Sequence, residues 1–219
     1  MNYAEFYAHY FPFWETLNSE DKDFLCRHSS LEYFEKEQAI HDNRICSGLY
    51  IVKKGQLRIY MLSEDGKEIT LYRLGEGELC MLAASCVLQS ITFDVYVEAE
   101  RPSECYTIAG TAFGAVSDRV PEVKIFALET AVERFSDVMW VLQQIVFMRQ
   151  DQRLAIFLLD ECEEGNTVTM THERIARHLG TAREVVTRML KHFASDGLIE
   201  VTRKEIRILD KTKLRDVAL

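Results

Sequence analysis

The chain has 219 residues, 47% of them hydrophobic and 28% charged, which allows one large hydrophobic core or two modest ones. No apolar run approaches the roughly 18 residues of a membrane span, and the N-terminus lacks a basic stretch followed by an apolar block. With neither a membrane span nor a secretion signal in the pattern, the protein is expected to stay in the cytoplasm. The net charge of −9 is unevenly spread. From Thr171 to Arg215 there are 11 Lys/Arg against 6 Asp/Glu, or +5, and the remainder has 15 against 29, or −14. A basic C-terminal module on an acidic body fits nucleic-acid binding at one end and a different task at the other.

The first thirty residues read as helical, with a helix start near Asn18-Ser19 followed by Glu20 and Asp21. From about Leu31 the texture changes to strands. Leu49 to Val52 is a short apolar run ended by Gly55, and Gln56 to Met61 alternates with a period of two. Glu64-Asp65-Gly66-Lys67 is a hairpin turn, and Ile69 to Leu74 is the returning strand. Phe93 to Ala99 and Cys105 to Ile108 complete a run of short strands, the pattern of a sandwich or barrel-like roll.

Val120-Pro121 opens a helical regime, with proline at a plausible first position. Leu128, Val132, Phe135, Met139, Leu142 and Val146 step by 4, 3, 4, 3, 4, a heptad seam on a helix of about 45 Å. Such a seam predicts a homodimer, while Val138, Trp140, Val141 and Ile145 supply apolar surface for packing on the roll. Arg149 to Arg153 reads as a polar hinge before an apolar helix, Leu154 to Leu159, and Glu161 to Asn166 reads as a loop.

Thr171 to Lys191, THERIARHLGTAREVVTRMLK, holds two short amphipathic segments meeting at a glycine. Ile175, Ala176 and Leu179 share a face of the first, and Gly180 supplies the positive φ of a tight helix exit. In the second, Arg183, Glu184, Thr187, Arg188 and Lys191 fall within about 140° of one another at the helix period. Val185, Val186, Met189, Leu190 and Phe193 cover the opposite side. Arg, Glu and Thr pair with guanine, cytosine and thymine edges in the major groove. The pattern is that of a helix-turn-helix whose second helix reads double-stranded DNA, with Thr171 at its threshold as a further contact. Thr181 and Glu184 also fit a capping box, a role for Glu184 that competes with base contact. After Asp196-Gly197, two short strands, Leu198 to Thr202 and Glu205 to Leu209, flank a basic tip of Arg203 and Lys204 suited to phosphates.

The order of helical start, roll, seam helix and winged helix-turn-helix resembles the Crp/Fnr family of bacterial transcription regulators. The likeness spans nearly the whole chain. It is carried by MTHERIARHLG and AREVVTRMLKHF, and by LYIVKKGQLRIY, EDGKEITLYRLGEGE and the VPE before the long helix. It implies an α+β fold in three parts: an N-terminal β-roll (double-stranded β-helix) of cyclic-nucleotide-binding type over 1–119, a dimerisation helix over 120–149, and a winged helix-turn-helix domain over 150–219. The function implied is regulated, sequence-specific DNA binding by a homodimer, not catalysis, with RNA polymerase as a partner. The family's Arg-Glu pair and later Arg carry over to Arg183, Glu184 and Arg188, suggesting half-sites like TGTGA or TTGAT. Ala182 stands where many members have Ser or Thr.

The sensor half departs from the best-known members. Met81-Leu82 stands where cyclic-nucleotide binders have Gly-Glu, Thr92-Phe93 lies near their Arg-Ser, and there is no arginine between Arg73 and Arg101. A buried cyclic phosphate would lack its charged partner, which argues against cyclic AMP. The oxygen-sensing branch holds an iron–sulfur cluster on closely spaced N-terminal cysteines; this chain has none before Cys26 and no CxxC among Cys26, Cys46, Cys80, Cys86, Cys105 and Cys162. No metal-ligating set is singled out, and the cofactor stays open. Cys80, Met81, Leu82, Cys86 and Phe93 mark the expected mouth of an effector pocket, with the signal left open among a small molecule, redox switching, metal or cluster binding, and haem contact. Cys80 and Cys86 also read as ordinary buried thiols. Two rival readings are weaker. A cupin-like enzyme needs several histidine and carboxylate ligands, and His41 is the only histidine between Ala39 and Arg119. The other is a ligand-binding adaptor whose helix-turn-helix contacts protein.

Overall fold

The structure, a computed structural model, describes residues 2–41, 48–80, 95–162, 165–203 and 205–219. Met81, Leu82, Cys86, Phe93 and Lys204, named above, lie outside the described residues, as do Cys46 and Thr92. The chain divides into two compact units, residues 1–62 with 71–138, and residues 63–70 with 139–219.

The first unit begins with α1 (Tyr3–Tyr10), capped by the Asn2 side chain, which accepts from the Glu5 amide at 2.9 Å. After a 3-10 turn at Trp14–Thr16, α2 (Ser19–Arg27) starts at the expected place, with Asn18 accepting from the Asp21 amide at 2.8 Å. These short helices persist because their aromatic residues are buried. Phe6, Tyr7, Phe11, Phe13 and Trp14 pack with Tyr106 and Phe113 into one core.

Eight strands follow: β1 (Ser29–Phe34), β2 (Ala39–His41), β3 (Leu49–Lys54), β4 (Leu57–Leu62), β5 (Glu68–Leu74), β6 (Leu79–Cys80), β7 (Tyr96–Ala99) and β8 (Ser103–Ile108). They form two four-stranded sheets, β1-β8-β3-β6 and β2-β7-β4-β5. The roll is closed around Tyr50, Val52, Leu57, Ile59, Tyr72, Leu74, Cys80, Val97 and Cys105. Antiparallel register sets Thr107, Tyr50 and Cys80 in one cross-strand row over β8, β3 and β6. The β4–β5 turn is the expected one: Gly66 has φ +77° and donates to the Ser63 carbonyl at 2.9 Å.

A helix not foreseen, α3 (Gly110–Ser117), follows β8. Its sequence GTAFGAVS has two glycines and no polar face, so periodicity gives no sign of it; burial of Ala112, Phe113 and Val116 holds it in place. The long helix α4 runs from Pro121 to Phe147, about 40 Å at 1.5 Å per residue and somewhat shorter than expected. Val123, Ala127 and Thr130 are its buried residues, and Val138 packs against the roll interior.

The polar hinge expected over Arg149 to Arg153 is narrower. Helix α5 (Gln150–Asp160) resumes after only Met148 and Arg149. Arg153 lies inside it, 5% exposed, because its guanidinium bonds a backbone carbonyl rather than water.

The second unit packs α5 with β9 (Thr167–Val168), α6 (His172–Leu179), α7 (Arg183–Ser195), β10 (Ile199–Val201), β11 (Ile206–Ile208) and α8 (Lys211–Ala218). The strands form a sheet in the order β10-β11-β9. Leu154, Leu158, Ile175, Val186, Leu190, Phe193 and Leu214 share its core. This is a winged helix-turn-helix with one more closing helix, α8, than the sequence reading foresaw.

Candidate nucleic-acid interface

The helix-turn-helix is built as its sequence predicts, apart from one cap. Thr171 opens α6, its hydroxyl accepting from the Arg174 amide at 3.2 Å. Ile175, Ala176 and Leu179 are buried, and Gly180 ends the helix in the left-handed region at φ +64°. The Thr181 amide then donates to the Ala176 carbonyl at 3.0 Å, which keeps Thr181 in the turn rather than at the cap. Helix α7 is capped by Ala182 with no side-chain bond, so the expected Thr181–Glu184 capping box is not formed. Glu184 is thereby released from that competing role.

Along α7, Val186, Leu190 and Phe193 face the core. Arg183, Glu184, Thr187, Arg188 and Lys191 together line a shallow surface depression of about 430 Å³. Arg183, Arg188 and Lys191 are exposed, and among the described residues none has an ion-pair partner. The same holds for Arg203 at the tip between β10 and β11. Arg207 on β11 contrasts with them, since Glu205 and Glu200 neutralise it at 3.0 and 3.5 Å. A second groove of about 450 Å³ runs past Thr171, His172, Arg183, Thr202, Arg203 and Glu205. All the expected contact residues among the described ones therefore meet on one side of this unit. Lys204 is outside the described residues.

His172 was missed by sequence reasoning. Its Nδ1 lies 3.0 Å from the Thr187 hydroxyl, across 15 residues, a separation with no helical or strand signature. Burial and the nearby Arg183 charge hold its ring below the usual imidazole range. Arg153 was read as linker, yet it donates from Nη2 to the Leu179 carbonyl at 2.6 Å, at the end of α6.

The six seam residues of α4 are all exposed, with Val132 at 67% and Phe135 at 64%. Trp140 and Ile145, expected to pack on the roll, are exposed as well. They lie beyond the stretch of α4 that holds its buried residues, which ends at Thr130. Cys80 is fully buried, as is Cys105, whose thiol burial pushes up to about 12. The Tyr72 and Thr107 hydroxyls are buried with no hydrogen-bond partner among the described residues. Arg134 of α4 stacks its guanidinium over the Tyr72 ring at 5.3 Å and pairs with Glu78 and Asp137 at 3.1 and 2.8 Å. No group of three or more His, Cys, Asp or Glu that could hold a metal occurs among the described residues, and no helix among them is long and apolar enough to cross a membrane.

Comparison with known proteins agrees with this architecture. Residues 152–217 match the family described as the Crp-like helix-turn-helix domain, and residues 31–119 match the cyclic nucleotide-binding domain family. The crystal structure of a Crp/Fnr-family transcriptional regulator from Eubacterium rectale is 41% identical, covers 96% of this chain and 99% of its own, and superposes with a TM-score of 0.91. A Lacticaseibacillus casei protein named as the transcriptional regulator flp is 28% identical over 94% of this chain and 95% of its own. The cyclic AMP receptor protein of Thermus thermophilus is 23% identical over 94% of this chain and 96% of its own. With both domains matched in order and a relative this similar along its whole length, the chain belongs to the Crp/Fnr family of DNA-binding transcriptional regulators.

Proposed function

We propose that the chain works in the cytoplasm as a homodimer that reads a two-fold-symmetric operator with α7. In this reading residues 1–119 sense, 120–149 dimerise and 150–219 bind DNA. Arg183, Glu184, Thr187 and Arg188 contact base edges, while Thr171, Lys191, Arg203 and Lys204 hold phosphates. The observation that carries the reading is the set of exposed, unneutralised cations on one side of the helix-turn-helix, within a chain whose net charge is −9. A protein-binding adaptor has no need to leave four cations without ion-pair partners among the described residues. Two recognition helices would lie about 34 Å apart to enter successive major grooves. The exposed heptad stripe on α4 supports the dimer, since a lone chain would leave Leu128, Val132, Phe135, Met139, Leu142 and Val146 in water. RNA polymerase is the partner such a regulator acts upon.

The roll is the proposed input. Its interior holds the hydroxyls of Tyr72 and Thr107, unsatisfied among the described residues, groups that a small polar molecule would satisfy. Cyclic AMP does not suit it, because no arginine lies between Arg73 and Arg101 to pair a phosphate.

Selection of bound sequences from a random duplex library, followed by anisotropy titrations, tests the reading. Arg188→Ala should abolish discrimination between the selected operator and random DNA, by about tenfold or more. Arg203→Ala should weaken all sequences alike. A wild-type chain that enriches no sequence would sink the proposal.

A further inference from the structure

We infer that His172 is a positioning residue that sets which group Thr187 presents to DNA, and thereby makes one thymine part of the sequence this protein reads. The inference rests on the proposed placing of α7 in the major groove.

The argument starts from a proton count. The Thr187 hydroxyl lies 2.9 Å from the Arg183 carbonyl oxygen, which can only accept, and 3.0 Å from Nδ1 of His172. A hydroxyl has one hydrogen. Both contacts hold together only when Thr187 donates to Arg183 and His172 donates from Nδ1. The neutral ring is therefore the Nδ1–H tautomer. Threonine in a helix otherwise divides between two χ1 rotamers, because its hydroxyl can bond back to the preceding turn. Here a second anchor, from a different helix, selects one of them.

The consequence falls on the exposed face. Thr187 is half-buried and lines the same depression as Arg183, Glu184, Arg188 and Lys191. With its hydrogen committed to its own helix and one lone pair to His172, the hydroxyl has nothing to donate to a base and a single acceptor position left, so the methyl gains weight in what Thr187 presents. A free threonine hydroxyl bonds donors and acceptors on several bases, whereas a threonine methyl packs against the 5-methyl of thymine. His172 thus takes one acceptor position from a permissive polar residue and shifts its reading towards the methyl. Its own position is secured by Thr171, which caps α6, and by the burial of Ile175 and Ala176 in the next turn.

Deoxyuridine, which differs from thymidine only by that methyl, is the direct probe. The full-length chain is used to select operators, and each thymine of the selected duplex is then replaced in turn by deoxyuridine. The wild type should show one thymine per half-site whose replacement weakens binding about fourfold, the size expected for one buried methyl. In His172→Ala this replacement should have no effect. His172→Asn, whose amide can still donate, should restore the discrimination. Thr187→Val keeps a methyl in place without any hydrogen bond, and should discriminate equally well with or without His172. Undiminished thymine preference in His172→Ala, or an equal loss of affinity for both duplexes, would overturn the inference. A wild type that selects a clear operator yet is indifferent to every deoxyuridine would overturn it while leaving the DNA-reading proposal standing. A wild type that selects nothing overturns both.

Discussion

The guanidinium of Arg153 donates to the carbonyl oxygen of Leu179 at 2.6 Å, deep in the second unit and with no ion-pair partner among the described residues. Leu179 is the last residue of α6, so its carbonyl is one of the acceptors a helix end leaves without an intrahelical partner. A cation there also meets the negative end of the helix dipole. Arg153 therefore holds the turn that leads into the reading helix. Arg153→Met should destabilise the chain by about 2 kcal/mol, the order of a buried charge-assisted hydrogen bond whose acceptor is left bare. Urea unfolding of the two proteins measures this. A change below about 0.5 kcal/mol, the level of an ordinary surface substitution, would contradict it.

The pH response of His172 has two parts of opposite sign. Burial and Arg183 depress its pKa in the folded chain, so the neutral ring contributes stability that is present above about pH 6.5, the unfolded value, and is lost as pH falls through the lowered one. On DNA, phosphates entering the groove favour the charged ring, and Glu173 and Glu205 on that groove act in the same direction against Arg183 and Arg203. Operator affinity should thus rise between pH 8 and pH 6 more steeply in the wild type than in His172→Asn, while unfolding temperature falls. Identical affinity profiles for the two proteins would remove His172 from the phosphate environment.

Phe135 stands at the middle of the exposed stripe on α4, and Phe135→Glu should leave a folded monomer. Sedimentation velocity would show the change in mass. Operator affinity should fall at least about a hundredfold, since two half-sites would no longer be bound as one event. A dimer that survives this substitution would move the partner surface elsewhere.

Tyr72→Phe removes a buried hydroxyl that has no partner among the described residues, and so should stabilise the ligand-free chain by up to about 1–2 kcal/mol. Thr107→Val tests the second such hydroxyl in the same way. Thermal unfolding of the purified chain decides the matter: destabilisation by either substitution would mean that the hydroxyl is satisfied in solution.

Redox input through the described roll thiols carries its own expectation. Cys80 and Cys105 are fully buried, and Cys105 titrates only near pH 12, whereas Cys26 and Cys162 are half-buried. In the native chain at pH 8, a disulfide reagent should modify Cys26 and Cys162 well before Cys105. Early loss of Cys105, followed by mass spectrometry, would reveal opening of the roll.

The output end was legible from sequence because its signals are local. One glycine with positive φ and two faces at helical spacing suffice to place Ile175, Gly180, Val186 and Arg188. The cap was misread by one residue, because the Thr181 amide bonds back to Ala176 and the helix starts after Ala182. Contacts made by fold alone were not legible. Arg153 looked like linker among polar neighbours, and His172 gave no sign of Thr187. In the roll, Thr107, Tyr50 and Cys80 become neighbours only through antiparallel register across three strands. Helix α3 was hidden for a related reason: burial, not periodicity, makes it helical.

Arg183, Arg188, Lys191 and Arg203 make no ion pair among the described residues. Before DNA arrives, their charge is balanced by mobile anions, and DNA phosphates carry condensed cations of their own. Binding releases these ions into solution, and the entropy gained shrinks as the surroundings fill with salt. Six phosphate contacts, from Lys191, Arg203 and Lys204 of each of two chains, would lower affinity by roughly a thousandfold between 50 and 200 mM salt. The ionic strength of the cell is thus a second input to this regulator, acting on the reading end directly and needing no pocket.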